Sequence, residues 1–132
     1  MLLTEKEALK MLETILAELK IRNKHAVIAV TDAHGDLLAF IRTEKAKLSS
    51  INLAINKAYT AARSQRSTAE MGKNAKDPET GFDMAYYGDP RFTGFPGGVP
   101  IKVSGVVIGA IAVSGLSQAE DEELVSLGIA SL

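Results

Sequence analysis

The sequence contains no cysteine and only two histidines among its 132 residues. The absence of cysteine excludes thiol catalysis, disulfides, cysteine-ligated zinc and iron–sulfur clusters. His25 precedes the first predicted strand and His34 lies in a predicted turn, so we interpret both as surface residues rather than metal or haem ligands. An acidic run near residue 121 suits the first turn of a helix. The sequence therefore predicts no metal site.

Long apolar runs and large charge imbalances are also missing. No stretch of 18 apolar residues and no signal-type segment occurs, which favours the cytoplasm, although a mature exported form without its leader would look the same. The formal charge of −1 gives no reason to expect nucleic acid or membrane as a partner. With 46% apolar and 23% charged residues, the chain predicts a single globular domain over residues 1–132.

The segment 95–115, FPGGVPIKVSGVVIGAIAVSG, organises the predicted fold. Strands over Val99–Val103 and Val106–Ser114 are joined by a two-residue turn, in which Gly105 supplies a positive φ. Alternation places Val106, Ile108, Ala110 and Ala112 on one face of the longer strand. Both of its faces are apolar, so we expect it to be covered on both sides.

Two further strands and a first helix precede that hairpin. Thr4 and Glu7 form a capping box for a helix that reaches about Ile21. Its predicted buried stripe is Ala8, Leu9, Leu12, Ile15, Leu16 and Leu19. Strands over 26–31 and 37–42 flank a turn in which Asp32 accepts backbone N–H bonds and Gly35 is left-handed. We favour this turn role for Asp32 over a catalytic one.

The remaining helices begin at serines. Ser49 or Ser50 caps a helix to about Ser64, whose small inner residues Ala54 and Ala58 allow close packing on the sheet. Ser67 opens a short helix to about residue 73, and Ser117 opens the last helix. The predicted order is α-β-β-α-(short α)-loop-β-β-α. This order predicts an α+β domain with an antiparallel sheet of four or five strands flanked by helices.

The loop 74–95 is the main irregularity of the sequence. It has no helical or alternating period, yet it carries six large apolar or aromatic side chains: Phe82, Met84, Tyr86, Tyr87, Phe92 and Phe95. Loops of this length are often functional, and its apolar content predicts packing on the body or on a partner subunit. Lys57, on the flank of the second helix, is predicted as a salt-bridge partner or as a cation that faces a ligand.

The residues alone reveal no known catalytic motif. The chain has no Walker loop, GxGxxG, HExxH or GxSxG pattern. Two classes of function stay open: a small-molecule binding module, or a small enzyme, an oxidoreductase or lyase, that uses Asp32, Lys57 or a loop tyrosine. A purely structural subunit is a third possibility.

An ordered set of short segments resembles the GlcG/HbpS-like family, which includes the C-terminal domain of PduO-type proteins. The segments are 30–35, Arg42, 49–50 with Ala54, 57–61, 96–101, Gly105 with 107–110, 113–115 and Asp121. The resemblance implies a profilin-like fold, assembly into dimers or larger oligomers, and haem binding in some members. The chain departs from the family pattern at 42–46, RTEKA, where Arg-x-Asp-Gly-Ala is common.

A ligand is expected where the loop 74–95 meets Gly97, Gly98 and the second helix. Exposed backbone N–H groups of the Gly-Gly turn would meet an anionic group, and Lys57 or Arg91 would pair with it. Loop aromatics would form a flat wall for haem or a related tetrapyrrole. Tyr86 or Met84 could reach the iron, although we favour a packing role for each. We also expect a homo-oligomer, with Tyr86, Tyr87 or Phe92 near an interface.

Overall fold

A computed structural model describes residues 2–132 of the chain. Its helices are α1 (Glu5–Arg22), α2 (Ser50–Ser64), α3 (Thr68–Ala75) and α4 (Gln118–Ala130). Its strands are β1 (Val27–Asp32), β2 (Leu37–Arg42), β3 (Gly98–Val103) and β4 (Val106–Ser114). The predicted element order and α+β class are confirmed, with four strands. Among the described residues, no helix is long and apolar enough to cross a membrane.

The four strands form one antiparallel sheet in the order β2-β1-β4-β3. In the β1–β2 turn, an Asp32 carboxylate oxygen accepts the backbone N–H groups of His34 and Asp36, and Gly35 has a φ of 92°. The β3–β4 turn has positive φ at both Ser104 and Gly105, 52° and 78°. Such two-residue turns match the twist of the strands that they join.

Helices cover both faces of the sheet. Ala54 and Ala58 of α2 are fully buried against Val27, Ala29 and Ala112. The opposite face packs on α1 and α4, with Ile15 and Leu124 among the buried contacts. The small side chains of α2 allow its axis to approach the strands, as the sequence predicted.

Two details of the predicted packing are wrong. Leu9, assigned to the buried stripe of α1, is 49% exposed, and Met11 is fully buried in its place. Ile108 does not share a face with Ala110 and Ala112. The pairing of β3 with β4 shifts after Ile101, which inserts Ile108 as an extra residue and turns it toward the α1 side. Such a bulge breaks the simple alternation of side chains along a strand.

A single chain covers β4 by itself from Ile108 onward, whereas Val106 at its start is 60% exposed. From Ile108 to Ser114 every residue is buried, so the two apolar faces of this strand require no partner subunit. Part of the loop 74–95 also packs on the body: Phe92 contacts the ring of Tyr59, and Tyr87 contacts Phe92. Within this loop, Met84–Tyr87 forms a turn of 3-10 helix that the sequence pattern did not predict.

Candidate functional site

The predicted ligand region contains a cleft of about 350 Å3, here called the Lys57 cleft. It lies between the start of α2, the end of β4 and the start of α4. Its lining includes Lys47, Ser50, Lys57, Ser114 and Asp121. The adjoining Phe95 and Pro96 bring the end of the long loop to its edge. The cleft therefore adjoins the region where the sequence analysis expects a ligand, and its lining combines polar side chains with apolar surface.

Lys57 is almost completely buried at this cleft and is paired. Its Nζ donates to the carbonyl oxygen of Val113 at 3.0 Å and to Oδ2 of Asp121 at 3.3 Å. The other carboxylate oxygen of Asp121 accepts the backbone N–H of Leu116. Burial lowers the pKa of Lys57 and raises the pKa of Asp121, and the attraction between the two charges only partly offsets these shifts. Lys57 is thus a salt-bridge partner that also borders the cleft.

Gly97 and Gly98 are buried and closely packed. A Cβ on Gly97 would lie 2.9 Å from Lys57 Nζ, and a Cβ on Gly98 would lie 2.5 Å from the Lys57 carbonyl oxygen. The backbone N–H of Gly98 donates to Oγ1 of Thr68 at 2.9 Å. This N–H is therefore not available to an anion. The expectation that the Gly-Gly turn exposes its N–H groups to a ligand is wrong for Gly98. These glycines let β3 approach α2.

Arg91 belongs to a separate cluster. Its guanidinium lies 3.8 Å from the ring centroid of Tyr59 and donates to the Tyr59 hydroxyl at 2.6 Å. The same hydroxyl donates to the carboxylate of Asp89 at 2.5 Å. The Tyr59 hydrogen bond, together with the Arg91 backbone N–H, lowers the pKa of Asp89 to about 2. Arg91 is therefore occupied within the chain and does not join Lys57.

Met84 and Tyr86, the two loop residues considered for haem iron, lie apart from the Lys57 cleft lining. Met84 packs toward Gly94, because a Cβ there would lie 3.3 Å from its terminal methyl. The Tyr86 side chain is 83% exposed. Phe82 and Tyr87 form an edge-to-face pair beside it, with ring centroids 5.7 Å apart. The structure thus brings Lys57, Gly97 and Gly98 together but leaves Arg91, Met84 and Tyr86 elsewhere.

A second cavity, which the sequence analysis missed, lies between the end of α1 and the end of β2. This His25 pocket has a volume of about 420 Å3. Its apolar walls are formed by Leu16, Leu19 and Ile41, and its polar lining includes Lys20, Lys24, His25, Arg42 and Thr43. The sequence feature that could have indicated this pocket is the basic cluster at the end of α1, followed by His25. The basic cluster had another explanation, because it also suits the helix dipole.

His25 is half-buried and held by one ring nitrogen. Nδ1 lies 3.1 Å from Oγ1 of Thr43, which also accepts the backbone N–H of Ala26. Lys24 is paired with Glu120 at 2.5 Å. The side chains of Lys20 and Arg42 make no hydrogen bond or salt bridge with any other residue of 2–132. The pocket therefore combines an oriented imidazole, apolar walls and two cations. No group of three or more His, Asp or Glu side chains in the described chain could hold a free metal ion.

Comparisons with known proteins agree with the resemblance seen in the sequence. A family model described as "Haem degrading protein HbpS-like" matches residues 3–130. A Citrobacter freundii protein from the dhaT-dhaS intergenic region is 31% identical over 117 residues, which cover 89% of this chain and 82% of that protein.

Two solved structures have the same fold. The crystal structure of HbpS matches with a TM-score of 0.87 and 27% identity, covering all of this chain and 91% of the other. A PduOC:heme complex matches with a TM-score of 0.93 and 23% identity, covering all of this chain and 96% of the other. At 23% identity, the latter comparison supports the fold alone.

Proposed function

Because the chain belongs to the HbpS-like family of haem-degrading proteins, we propose that it binds haem or a related planar tetrapyrrole in the His25 pocket. The main support for the proposal is that only one of the two ring nitrogens of His25 has a hydrogen-bond partner. With Nδ1 bonded to Thr43, the Nε2 atom remains for a metal. A histidine ligand oriented through its other nitrogen is the usual arrangement in metal sites.

The rest of the pocket suits the periphery of the same ligand. Leu16, Leu19 and Ile41 offer apolar contacts to a macrocycle. Lys20 and Arg42 are exposed and would pair with its carboxylates. When bound, haem supplies an iron whose redox potential depends on the axial ligand and on the polarity around it. Support for haem also comes from the family to which the chain belongs, which is described as haem-degrading.

The Lys57 cleft fits haem less well. None of its lining residues is a histidine, methionine or tyrosine, so the lining offers none of the side chains that usually ligate haem iron. Of the loop aromatics expected to form its flat wall, Phe95 lines the cleft, whereas Phe92 packs on Tyr59 and Phe82 packs on Tyr87. The proposal therefore moves the tetrapyrrole from the Gly97–Gly98 region to the His25 pocket.

The test is an absorption titration of the purified protein with ferric haem. We expect a saturable shift of the Soret band with one haem per chain. Replacing His25 with Ala removes the proposed iron ligand and should weaken haem binding by roughly tenfold or more. A tenfold loss corresponds to only about 1.4 kcal/mol of binding free energy. His34, exposed at the β1–β2 turn, provides the matched control, and His34→Ala should titrate like the wild type. Equal affinity and equal spectra for wild type and His25→Ala would refute the proposed site.

We also propose that the chain forms a homo-oligomer. The apolar faces of β4 are not a reason for an oligomer, because residues 108–114 are already buried within one chain. The support is exposed apolar surface: Tyr86 is 83% exposed, and Leu37 and Leu38 of the edge strand β2 are 47% and 40% exposed. Sedimentation velocity should give at least a dimer at micromolar concentration, and Tyr86→Ser should lower the association. A wild-type monomer at that concentration would contradict the proposal.

A further inference from the structure

Two buried hydroxyl groups in the Lys57 cleft have no partner in the protein. Ser50 is 3% exposed and Ser114 is 1% exposed. The hydroxyls of Ser67 and Ser117 cap α3 and α4, but Ser50 Oγ and Ser114 Oγ make no hydrogen bond to any residue within 2–132. No fully enclosed side-chain oxygen or nitrogen in that range lacks a partner. The two hydroxyls must therefore reach solvent, and the cleft that they line is where they do so.

The charged groups at the cleft are the ammonium groups of Lys57 and Lys47 and the carboxylate of Asp121. The Lys57 ammonium uses two of its three N–H groups on Val113 and Asp121. Gly97 packs closely against Lys57, since a Cβ there would lie 2.9 Å from Lys57 Nζ, and Lys57 itself lines the cleft. The Asp121 carboxylate is already neutralised by Lys57 and bonded by Leu116. A second cation, Lys47, lies exposed at the rim.

The start of α2 adds a favourable field for an anion. Its N-cap residue, Ser49, makes no side-chain capping bond, and the first turn of the helix contains no acidic residue. The positive end of the helix dipole is therefore not compensated by a side chain at the point where Ser50 enters the cleft. This field acts at the same place as the two hydroxyls, whose residues are almost completely buried and which open to the cleft without a partner within residues 2–132.

We infer that the Lys57 cleft binds a small aliphatic carboxylate. One carboxylate group accepts hydrogen bonds from Ser50 Oγ, Ser114 Oγ and the Lys57 ammonium, and Lys47 attracts a second negative charge at the rim. The volume of about 350 Å3 is at the small end of the range for ligand pockets, which suits an acid of a few carbons. The site is separate from the His25 pocket and does not depend on haem.

The probe is succinate, with the uncharged succinamide as a control of the same shape. Isothermal titration of the wild type should detect saturable succinate binding and no comparable succinamide binding. Ser50→Ala and Ser114→Ala should each weaken succinate binding about tenfold or more, since a hydrogen bond to a charged group is lost. The control is Ser126→Ala, an exposed position on α4, which should bind like the wild type.

The serine variants separate a ligand role from a structural one. Removing a hydroxyl that bonds nothing in the protein should leave the circular dichroism spectrum and the melting temperature close to wild type. Succinate affinity should also be unchanged in His25→Ala, so failure of the haem site does not affect this result. Absence of succinate binding at millimolar concentration, equal binding of succinamide, or full affinity in both serine variants would overturn the inference.

Discussion

Removing one partner of the Lys57–Asp121 pair should destabilise the protein strongly. The side chains of Lys57 and Asp121 are only 3% and 4% exposed. Lys57→Met keeps most of the side-chain volume but leaves the Asp121 carboxylate buried beside no cation. Breaking a buried ion pair from one side costs about 3–5 kcal/mol, because the remaining charge is desolvated and uncompensated. This is a large share of the roughly 5–15 kcal/mol that holds a typical domain folded.

The double variant Lys57→Met/Asp121→Leu should be more stable than Lys57→Met. With both charges gone, the remaining losses are the acceptor for the Leu116 N–H and the donor to the Val113 carbonyl, for which about 1–3 kcal/mol is expected. The summed costs of the two single variants would reach about 6–10 kcal/mol if they were independent. The pair should therefore show a coupling of several kcal/mol.

The assay is urea unfolding followed by circular dichroism at constant m-value for the wild type, both single variants and the double variant. Lys45→Met, at an exposed lysine, is the control and should stay within about 0.5 kcal/mol of wild type. The stability difference between wild type and Asp121→Leu should become smaller as the pH rises. Burial lowers the pKa of Lys57, so the unpaired amine loses its charge more easily at high pH. Additive effects of the two substitutions would refute the reasoning.

Three further predictions concern packing, acid stability and α1. Gly98→Ala should cost about 1–3 kcal/mol and lower the melting temperature, because its Cβ would lie 2.5 Å from the carbonyl oxygen of Lys57; a wild-type melting temperature would contradict this packing. The pKa of Asp89 is lowered from 3.8 to about 2 in the folded chain, so its stabilising contribution is complete above about pH 4 and is lost as the pH falls toward 2. The stability gap between wild type and Tyr59→Phe, measured by urea unfolding, should narrow over that interval, and a constant gap would contradict the role of the Tyr59 hydrogen bond. Leu9→Glu should change the free energy of unfolding by less than about 0.5 kcal/mol, whereas a large loss would mean that Leu9 is buried.

Local chemistry made most of the fold predictable. The capping box at Thr4, the turn around Asp32 and the small residues of α2 each have one dominant structural outcome, and each occurs in the structure. The bulge at Ile108 was not predictable, because it depends on how β3 pairs with β4 rather than on the alternation within β4. Burial of Met11 in place of Leu9 was predictable, because Ala8, Met11, Leu12, Ile15 and Leu19 follow the helical spacing that Leu9 breaks.

The candidate sites were harder to predict because they depend on long-range contacts. Lys57 and Asp121 are 64 residues apart, so no local pattern could say whether the lysine was paired or free. Gly98 was expected to present its N–H to a ligand, but Thr68 of the neighbouring helix α3 takes that donor. The His25 pocket forms only when the ends of α1 and β2 come together, and each half alone resembles an ordinary basic surface.

The position of bound haem tests the central claim most directly. A crystal structure of the protein grown with ferric haem should show the iron next to Nε2 of His25, with the propionates directed toward Lys20 and Arg42. Iron located instead beside the exposed aromatic residues Phe82, Tyr86 and Tyr87, or in the Lys57 cleft, would contradict the account.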